Sequence, residues 1–279
     1  MPNNIIITAA SSPYFQSLRQ LIYSYYATNE YKQSRLVCYD MGLSQPELNS
    51  LSRLMQKIDV AVEIRKFDYD AHSDIVRLEH KTYSWKPVII NELLNEKKCN
   101  LLWMDSANII LKSLNKIWKE IAVMGQYLPI SGSGTLERWT HPTTLERLEV
   151  PDNWRVQRNR CGGLCGFSYE YEPAKKLVAD WANFALDWNC IKPDGADRSN
   201  HRDDQSLLSI LSYSLEEKGK IILTEDEVDI SSAKPVDFVS VRNVIHSHLP
   251  LWLMPMSIMY FKLVRLLDIG LNKLKTLFP

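Results

Sequence analysis

Short apolar strands that alternate with helix-period segments constrain the fold of this chain most strongly. Residues 5–8 form a β-branched run, residues 14–26 carry apolar side chains at helical spacing, and residues 35–39 form a second apolar run. Two strands joined by a helix make a βαβ unit, whose strands lie parallel. The pattern predicts an α/β, Rossmann-like fold with a mostly parallel central sheet.

The alternation continues as far as residue 104. Ser44 and Glu47 have the spacing of a helix capping box, and later segments predict a strand at 60–67, a helix at 84–94 and a strand at 100–104. Because such sheets bind ligands at the carboxyl ends of their strands, we expect residues 1–110 to form a nucleotide-binding half.

The pattern loosens after residue 110. A Ser-Gly stretch at 131–134 leads into polar sequence through residue 159, and helical spacing returns at 172–187 and 203–213. We expect one domain that spans residues 1–248, in which residues 111–248 form the half that binds the second substrate, the acceptor.

Composition excludes some classes of function. The 279 residues are 45% hydrophobic and 24% charged, as in an ordinary globular protein. Lys plus Arg and Asp plus Glu both total 33, so no overall positive field is available to hold a nucleic acid. Cys38 and Cys99 lie in apolar strand segments, where reduced, buried thiols are usual, and no signal peptide is evident. These features predict a cytoplasmic protein that does not bind nucleic acid.

Residues 249–279 differ in kind from the rest of the chain. Apolar residues alternate with four Lys or Arg residues between 262 and 275, after prolines at 250 and 255. This pattern predicts a basic amphipathic helix and excludes an uninterrupted transmembrane span. Two interpretations are equally supported: peripheral contact with the inner face of the membrane, or packing on the body of the protein or a partner.

The strongest local signal for chemistry is an apolar strand, 101–104, that ends at Asp105. A carboxylate at a strand end can hold a hard divalent cation against a diphosphate. An Asp after a strand also commonly stabilises a turn, and the sequence of this segment alone favours that alternative.

Two neighbouring segments carry a resemblance to a known family. YSWKPVIINELL at 83–94, followed by LLWMDSA at 101–107, resembles the helix and DxD segment of GT-A glycosyltransferases, especially those similar to family 8. The resemblance extends over residues 4–248. It implies that Lys86 meets the diphosphate of a nucleotide-sugar donor and that Asp105 binds Mn²⁺ or Mg²⁺. Ala107 stands where the family usually has its second aspartate, which leaves Asn108, a water or another residue to complete the metal shell.

Further segments follow in the order that the resemblance implies. NRCGGLCGF at 159–167 is similar to the family's N-x-G segment, which places Gly162 and Gly163 beside the transferred sugar. HRDDQSLL at 201–208 is similar to its D-Q segment, which assigns the catalytic positions to Asp204 and Gln205. The alternative for this second segment is structural, with Asp203 or Asp204 as the cap of a helix.

The last and first segments of the resemblance imply contacts with the metal ion and with the nucleotide base. VIHSHLPLW at 244–252 is similar to the late histidine motif of the family, which implies His246 as a metal ligand, with His248 in reserve. The resemblance places the nucleotide base against Ala9, Ala10 and Ser11. Asp40 would then lie near the base or the ribose, or else belong to a simple turn.

The implied function is transfer of a sugar from a nucleotide-sugar, a UDP-sugar first, to a saccharide or lipid-linked acceptor, in the synthesis of surface polysaccharide or glycoconjugate. The alternative from another class is a noncatalytic GT-A-like module that binds a nucleotide or glycan. A zinc site at Cys161, Cys165 and His201 has unsuitable spacing. A nucleotidyltransferase would have a glycine-rich, basic loop after its first strand, and residues 9–13 have neither glycine nor a basic residue.

Overall fold

A computed structural model describes residues 3–228 and the backbone of residues 238–240. The structure is α/β, with a mostly parallel central sheet, as the sequence predicts. The predicted metal ligand His246, its reserve His248 and the amphipathic segment 249–279 lie outside the described residues.

The strands within the described residues are β1 (Asn4–Ala10), β2 (Arg35–Asp40), β3 (Glu63–Lys66), β4 (Asn100–Met104), β5 (Asn108–Ile110), β6 (Gln126–Tyr127), β7 (Ile130–Thr135), β8 (Arg158–Arg160), β9 (Leu164–Ser168), β10 (Glu227–Val228) and β11 (Phe238–Ser240). The α-helices there are α1 (Phe15–Ala27), α2 (Gln45–Ile58), α3 (Trp85–Lys97), α4 (Asn115–Met124), α5 (Leu136–Trp139), α6 (Pro142–Arg147), α7 (Asp152–Arg155), α8 (Glu172–Ala185), α9 (Trp188–Ile191) and α10 (Asp203–Glu217).

The chain divides into two compact units. The first contains residues 3–67 and 104–116 together with the described residues after 226. Its strands β1, β2 and β3 lie in the order β3-β2-β1, and both neighbouring pairs are parallel. β1 is buried from Ile5 onward, and helix α1 buries an apolar face against β5 and α2. The first βαβ unit therefore forms as the sequence predicts.

Helix α2 begins as its sequence predicts. Ser44 is the N-cap, and its backbone N–H donates to Glu47 Oε2 at 2.7 Å within a complete capping box. The box satisfies backbone donors that an isolated helix start would leave unpaired. The helix ends at Ile58, after which Asp59 adopts a left-handed conformation with φ of 51°.

The second unit contains residues 68–103 and 117–226. Helix α8 packs against both α3 and α10, and its Trp181 is fully buried 6.2 Å from the ring of Phe167 on β9. β4, β9 and β6 lie in that order, with β6 and β9 antiparallel, and β7 pairs with β8 in the antiparallel sense. This packing places the first turns of α3 and α10 in one unit.

The observed elements differ from the predicted ones mainly at their ends. Strand β1 continues through Ala10, because its pairing with β2 extends to Ala10 opposite Asp40. Strand β3 is shorter than the predicted 60–67. Where the sequence loosens between residues 111 and 159, the structure forms short helices and strands. The proposed division into halves at residue 110 stays a prediction.

All five cysteines are buried, and none of them forms a disulfide. The burial predicted for Cys38 and Cys99 is confirmed. Among the described residues, no helix is both long enough and apolar enough to cross a membrane.

Candidate active site

A buried lysine joins three segments of the second unit. Lys86 Nζ lies 3.0 Å from the Gly162 carbonyl oxygen and 3.0 Å from Asp204 Oδ2. The side chains of Lys86 and Asp204 are only 5% and 7% exposed. The structure thus brings together one residue from each of the three segments that the resemblance singles out in this unit.

The start of helix α3 directs Lys86 inward. The hydroxyls of Thr82 and Ser84 both donate to the carbonyl oxygen of Ile75, at 2.8 and 2.7 Å. Tyr83 between them has a positive φ of 56°, and its carbonyl accepts from the Lys86 backbone N–H at 3.0 Å. A non-glycine residue in this conformation is strained by roughly 1–3 kcal/mol, and such strain persists where surrounding contacts fix the backbone. The turn therefore has the tight anchoring expected of a functional site.

Aromatic rings surround the ammonium group of Lys86. Its Nζ lies 5.8 Å from the ring centroid of Tyr83 and 5.6 Å from that of Trp103. A cation near the face of an aromatic ring gains electrostatic stabilisation when water is excluded. The rings therefore offset part of the cost of removing this charge from solvent.

The start of helix α10 directs Asp204 toward Lys86. Its backbone carbonyl accepts from Trp181 Nε1 at 2.9 Å, which ties the first turn of α10 to α8. The N-cap residue is Arg202, which makes no side-chain cap hydrogen bond. The interpretation of Asp203 or Asp204 as the helix cap is therefore wrong, because the Asp204 side chain contacts Lys86 and the N-cap position falls one residue before Asp203.

Gly162 and Gln205 complete this cluster. A Cβ atom at Gly162 would lie 3.2 Å from Gln205 Cβ and 3.3 Å from Asp204 Oδ2, so a larger residue would push against both side chains. Gln205 Nε2 donates to Ser133 Oγ at 3.1 Å. The structure thus gives an internal packing reason for glycine at 162, beside the role implied by resemblance. Gly163 follows in the turn before β9.

Burial shifts the pKa of two neighbouring groups in opposite directions. Loss of solvent raises the pKa of Asp203 to about 7, although Lys192, Arg198 and Arg202 act to lower it. Burial also lowers the pKa of His201 to about 4. His201 Nδ1 accepts from the His141 backbone N–H at 3.1 Å and its Nε2 lies 2.9 Å from the Ile191 carbonyl, an arrangement that suits a neutral ring protonated on Nε2.

The predicted base-binding residues lie in the first unit. Ala9 and Ala10 are buried in strand β1, and Ser11 follows the strand in a partly exposed position, so the predicted loop begins at Ser11. Asp40 Oδ1 accepts from the backbone N–H groups of Gly42 and Leu43 at 2.9 and 2.6 Å. Asp40 therefore has the hydrogen bonds of the turn interpretation, and its role toward a nucleotide stays a prediction.

Asp105 directly follows β4 and is partly exposed. Its backbone carbonyl accepts from both the backbone N–H and the side-chain amide of Asn108, each at 2.9 Å. Within residues 3–228, no three His, Cys, Asp or Glu side chains cluster in a way that could hold a metal ion. Mg²⁺ is usually bound through one or two carboxylates, substrate phosphates and waters. One accessible carboxylate therefore fits an ion of that kind held jointly with a diphosphate.

Four residues around this cluster were given no role by the sequence interpretation. Tyr83 and Trp181 look like ordinary core aromatics, Ser133 lies in a flexible-looking Ser-Gly stretch, and Arg198 lies in a polar loop. The Arg198 guanidinium donates to the Tyr83 hydroxyl and lies 4.9 Å from that ring. The helical spacing around Trp181 indicated burial alone, and Tyr83 lies in the 83–94 segment of the resemblance, which gave it no role of its own.

Comparison with known proteins places the fold. A family described as "Protein of unknown function (DUF1647)" matches residues 1–91, and no curated protein matches the chain. Among solved structures, the galactosyltransferase LgtC, in complex with donor and acceptor sugar analogues, aligns with a TM-score of 0.51 at 16% identity, over 74% of this chain and 70% of LgtC.

Two further structures align over more of the chain. Mouse xyloside xylosyltransferase 1 gives a TM-score of 0.50 at 10% identity, over 89% of this chain and 99% of the mouse protein. The bifunctional glycosyltransferase WbbM gives 0.55 at 12% identity, over 93% of this chain and 44% of WbbM. The chain has the GT-A fold. The fold predicted from sequence is thereby confirmed, and within this GT-A structure Lys86, Gly162 and Asp204 form one buried cluster.

Proposed function

We propose that this chain is a glycosyltransferase that moves a sugar from a nucleotide-sugar donor to a saccharide or lipid-linked saccharide acceptor. The observation that carries the proposal is the buried contact of Lys86 with both Gly162 and Asp204. The resemblance implies roles in donor and sugar binding for the same three residues. The solved GT-A structures, one of them with donor and acceptor sugar analogues, support the same class of reaction.

The reaction is displacement at the anomeric carbon of the donor sugar. The bond from that carbon to the diphosphate oxygen breaks, a bond to an acceptor hydroxyl oxygen forms, and the acceptor loses a proton. In the proposal, Asp204 and Gln205 hold the sugar and acceptor, while Gly162 and Gly163 let backbone approach the sugar. Lys86 holds the Asp204 carboxylate in one position and adds positive charge toward the diphosphate.

A divalent ion belongs to this proposal. Asp105 and His246 would hold Mn²⁺ or Mg²⁺, and the bound ion would offset negative charge on the departing diphosphate. A UDP-sugar is the preferred donor, with the base near Ala9, Ala10, Ser11 and Asp40. Synthesis of surface polysaccharide at the cytoplasmic face of a membrane, with peripheral contact through residues 249–279, would suit a lipid-linked acceptor.

The stereochemical course of the proposed transfer is a separate question. Similarity to family 8 implies that the anomeric configuration is retained, whereas inversion would need a base, for which Asp204 is the candidate. NMR assignment of the product linkage distinguishes the two courses. An inverted product would refute the retaining assignment and would leave glycosyl transfer itself intact.

The deciding experiment is calorimetric titration with UDP and with GDP, each with and without Mn²⁺. We expect metal-dependent binding of one nucleotide to the wild-type protein, and its loss in Asp105→Ala. The matched control is Asp180→Ala, which removes a partly exposed aspartate of α8 paired with Lys176 and should bind as wild type does. Absence of nucleotide binding in folded wild-type protein would refute the proposed donor.

A noncatalytic GT-A-like module is the second candidate. Ala107 in the usual place of an aspartate favours it, because that substitution removes one carboxylate from the expected metal site. Such a module would bind nucleotide or glycan without releasing UDP from any UDP-hexose. Release of UDP that requires Asp105 would exclude this alternative.

A further inference from the structure

An open depression of about 470 Å³ on the second unit is lined by three cations. Lys81, Lys192 and Arg198 line it together with Asp197 and Ser199. These residues come from the turn before α3 and from the loop between α9 and α10. The depression is distinct from the buried contact between Lys86 and Asp204.

The three cations have few acidic partners among the described residues. Across the described part of the chain, no carboxylate lies within 4.0 Å of Lys81 or Arg198. Lys192 Nζ approaches only Asp203 Oδ1, at 3.8 Å. Asp197, the one carboxylate of the lining, accepts hydrogen bonds from the Ser199 backbone N–H and hydroxyl at 2.7 and 2.5 Å. Three positive charges therefore face this depression. The Asp197 carboxylate of the lining is engaged with its own loop, and the buried Asp203 lies behind Lys192.

A single aromatic ring links the depression to the proposed active site. The Tyr83 ring centroid lies 4.9 Å from Arg198 Cζ and 5.8 Å from Lys86 Nζ, and the Tyr83 hydroxyl accepts from Arg198. Lys86 in turn contacts Asp204. A group bound in the depression would therefore lie beside the residues proposed to hold the sugar and acceptor.

We propose that this depression binds a phosphate group carried by the acceptor. The planar guanidinium of Arg198 presents several N–H donors to phosphate oxygens, and Lys81 and Lys192 supply point charges. The space exceeds what one phosphate needs, so part of the attached molecule can enter with it. This inference rests on the proposed function for the identity of the acceptor, while phosphate binding itself can be measured without transfer.

The test uses full-length protein and direct binding. ³¹P NMR relaxation would measure binding of inorganic phosphate and of glucose 6-phosphate to the wild-type protein, Arg198→Gln and Lys192→Gln. The control is Lys218→Gln, which removes an exposed lysine of the same unit whose Nζ contacts Ser214 Oγ at 3.0 Å. We expect Arg198→Gln to weaken binding about tenfold, since a charge-assisted hydrogen bond is lost, and Lys218→Gln to leave it unchanged.

A vesicle arm separates the two sources of such a phosphate. Sedimentation with phosphatidylcholine vesicles that contain phosphatidic acid, against phosphatidylcholine alone, would report binding to a lipid phosphate. If Arg198→Gln and Lys192→Gln weaken vesicle binding, the acceptor is lipid-linked. If Arg198→Gln weakens binding of glucose 6-phosphate and the protein does not bind the vesicles, the acceptor is soluble. Every variant keeps residues 249–279, so any contribution of that segment cancels.

Three outcomes would overturn the inference. The first is that the wild-type protein does not bind phosphate, and the second is that both depression variants bind it as well as wild type does. The third is that UDP with Mn²⁺ displaces bound glucose 6-phosphate, because the site would then belong to the donor. UDP titration of the same samples tests the proposed function separately. Lys192→Gln keeps the inference testable if Arg198→Gln fails to fold after loss of its contact with Tyr83.

Discussion

The side-chain nitrogen of Lys86 lies 3.0 Å from Asp204 Oδ2, in surroundings that leave both side chains less than a tenth exposed. The pair joins the first turns of α3 and α10 and also contacts the Gly162 carbonyl. Desolvating two charges is expensive, and their attraction repays that expense only when the geometry is good and other polar contacts assist. The arrangement therefore serves to fix the position of the Asp204 carboxylate more than to add net stability.

Breaking this pair should destabilise the protein strongly. In Asp204→Asn, Lys86 remains buried without a compensating charge, so we expect the free energy of unfolding to fall by about 3–5 kcal/mol. Equilibrium unfolding in urea measures this loss of free energy. The control Asp180→Asn removes a partly exposed partner of Lys176 and should cost at most about 1 kcal/mol.

The double variant Lys86→Met/Asp204→Leu removes both charges together. It should recover much of the stability lost in Asp204→Asn, because an apolar pair of similar volume is often no worse than a buried ion pair. A loss in Asp204→Asn no greater than that of the control would contradict the assignment of a buried ion pair.

Gly162→Ala should affect function more than stability. The new Cβ would lie 3.2–3.3 Å from Gln205 Cβ and Asp204 Oδ2, which can shift slightly, so we expect a loss of about 1 kcal/mol but reduced transfer or sugar binding. Gly166→Ala is the comparison, because its Cβ would lie 2.3 Å from Ile121 Cδ1, away from Asp204. Denaturant unfolding and activity per folded molecule would separate the two effects, and equal activity loss in both variants would count against a local role for Gly162.

Asp203 should make stability depend on pH. Burial raises its pKa from 3.8 to about 7, so ionisation is disfavoured in the folded state. The resulting loss of stability is absent below pH 4, grows between pH 4 and 7, and is complete above 7. We expect Asp203→Asn to be more stable than wild type by on the order of 2–4 kcal/mol at pH 8, and equal to it near pH 4.

Asparagine also tolerates the positive φ of 44° at this position, so the substitution adds little backbone strain. Thermal unfolding of both proteins between pH 4 and 8 gives the comparison. A difference that does not change with pH would show that Asp203 titrates normally.

His201 should act in the opposite sense. Burial lowers the pKa of His201 from 6.5 to about 4. The neutral ring therefore contributes its full share of the free energy of unfolding above pH 6.5, and this share is lost as the pH falls toward 4. Between pH 7 and 4.5 we expect wild type to lose about 2–3 kcal/mol more than His201→Gln, whose amide can still accept from His141 and donate to Ile191. NMR titration of the His201 ring proton provides the direct measurement, and a midpoint near 6.5 would contradict the prediction.

The resemblance and the structure indicate two different but compatible contacts for Lys86. Similarity to family 8 implies contact with the donor diphosphate, whereas the structure shows contacts with Asp204 and Gly162. Nucleotide titration of Lys86→Met beside the more conservative Lys86→Arg would separate the two roles. If Lys86→Met keeps its affinity for UDP but loses sugar transfer, the main role of Lys86 is to position Asp204.

Local pattern was enough to predict the α/β fold and its main elements, while the resemblance supplied the GT-A assignment. The β-branched run of β1, the capping box of α2 and the apolar strand before Asp105 each report short-range preferences, which depend on neighbours only a few residues away. The ends of β1 and β3 differed from prediction, because strand pairing sets them and periodicity does not.

Tertiary structure decided which side chains meet. No local pattern shows that Gly162 must lack a Cβ because Asp204 and Gln205 lie against it, or that Arg198 reaches the hydroxyl of Tyr83. The shifted pKa values of Asp203 and His201 likewise depend on how much solvent the packed helices exclude. Sequence therefore fixed the residue types and their order along the chain, while long-range packing alone set their contacts, burial and charge environment.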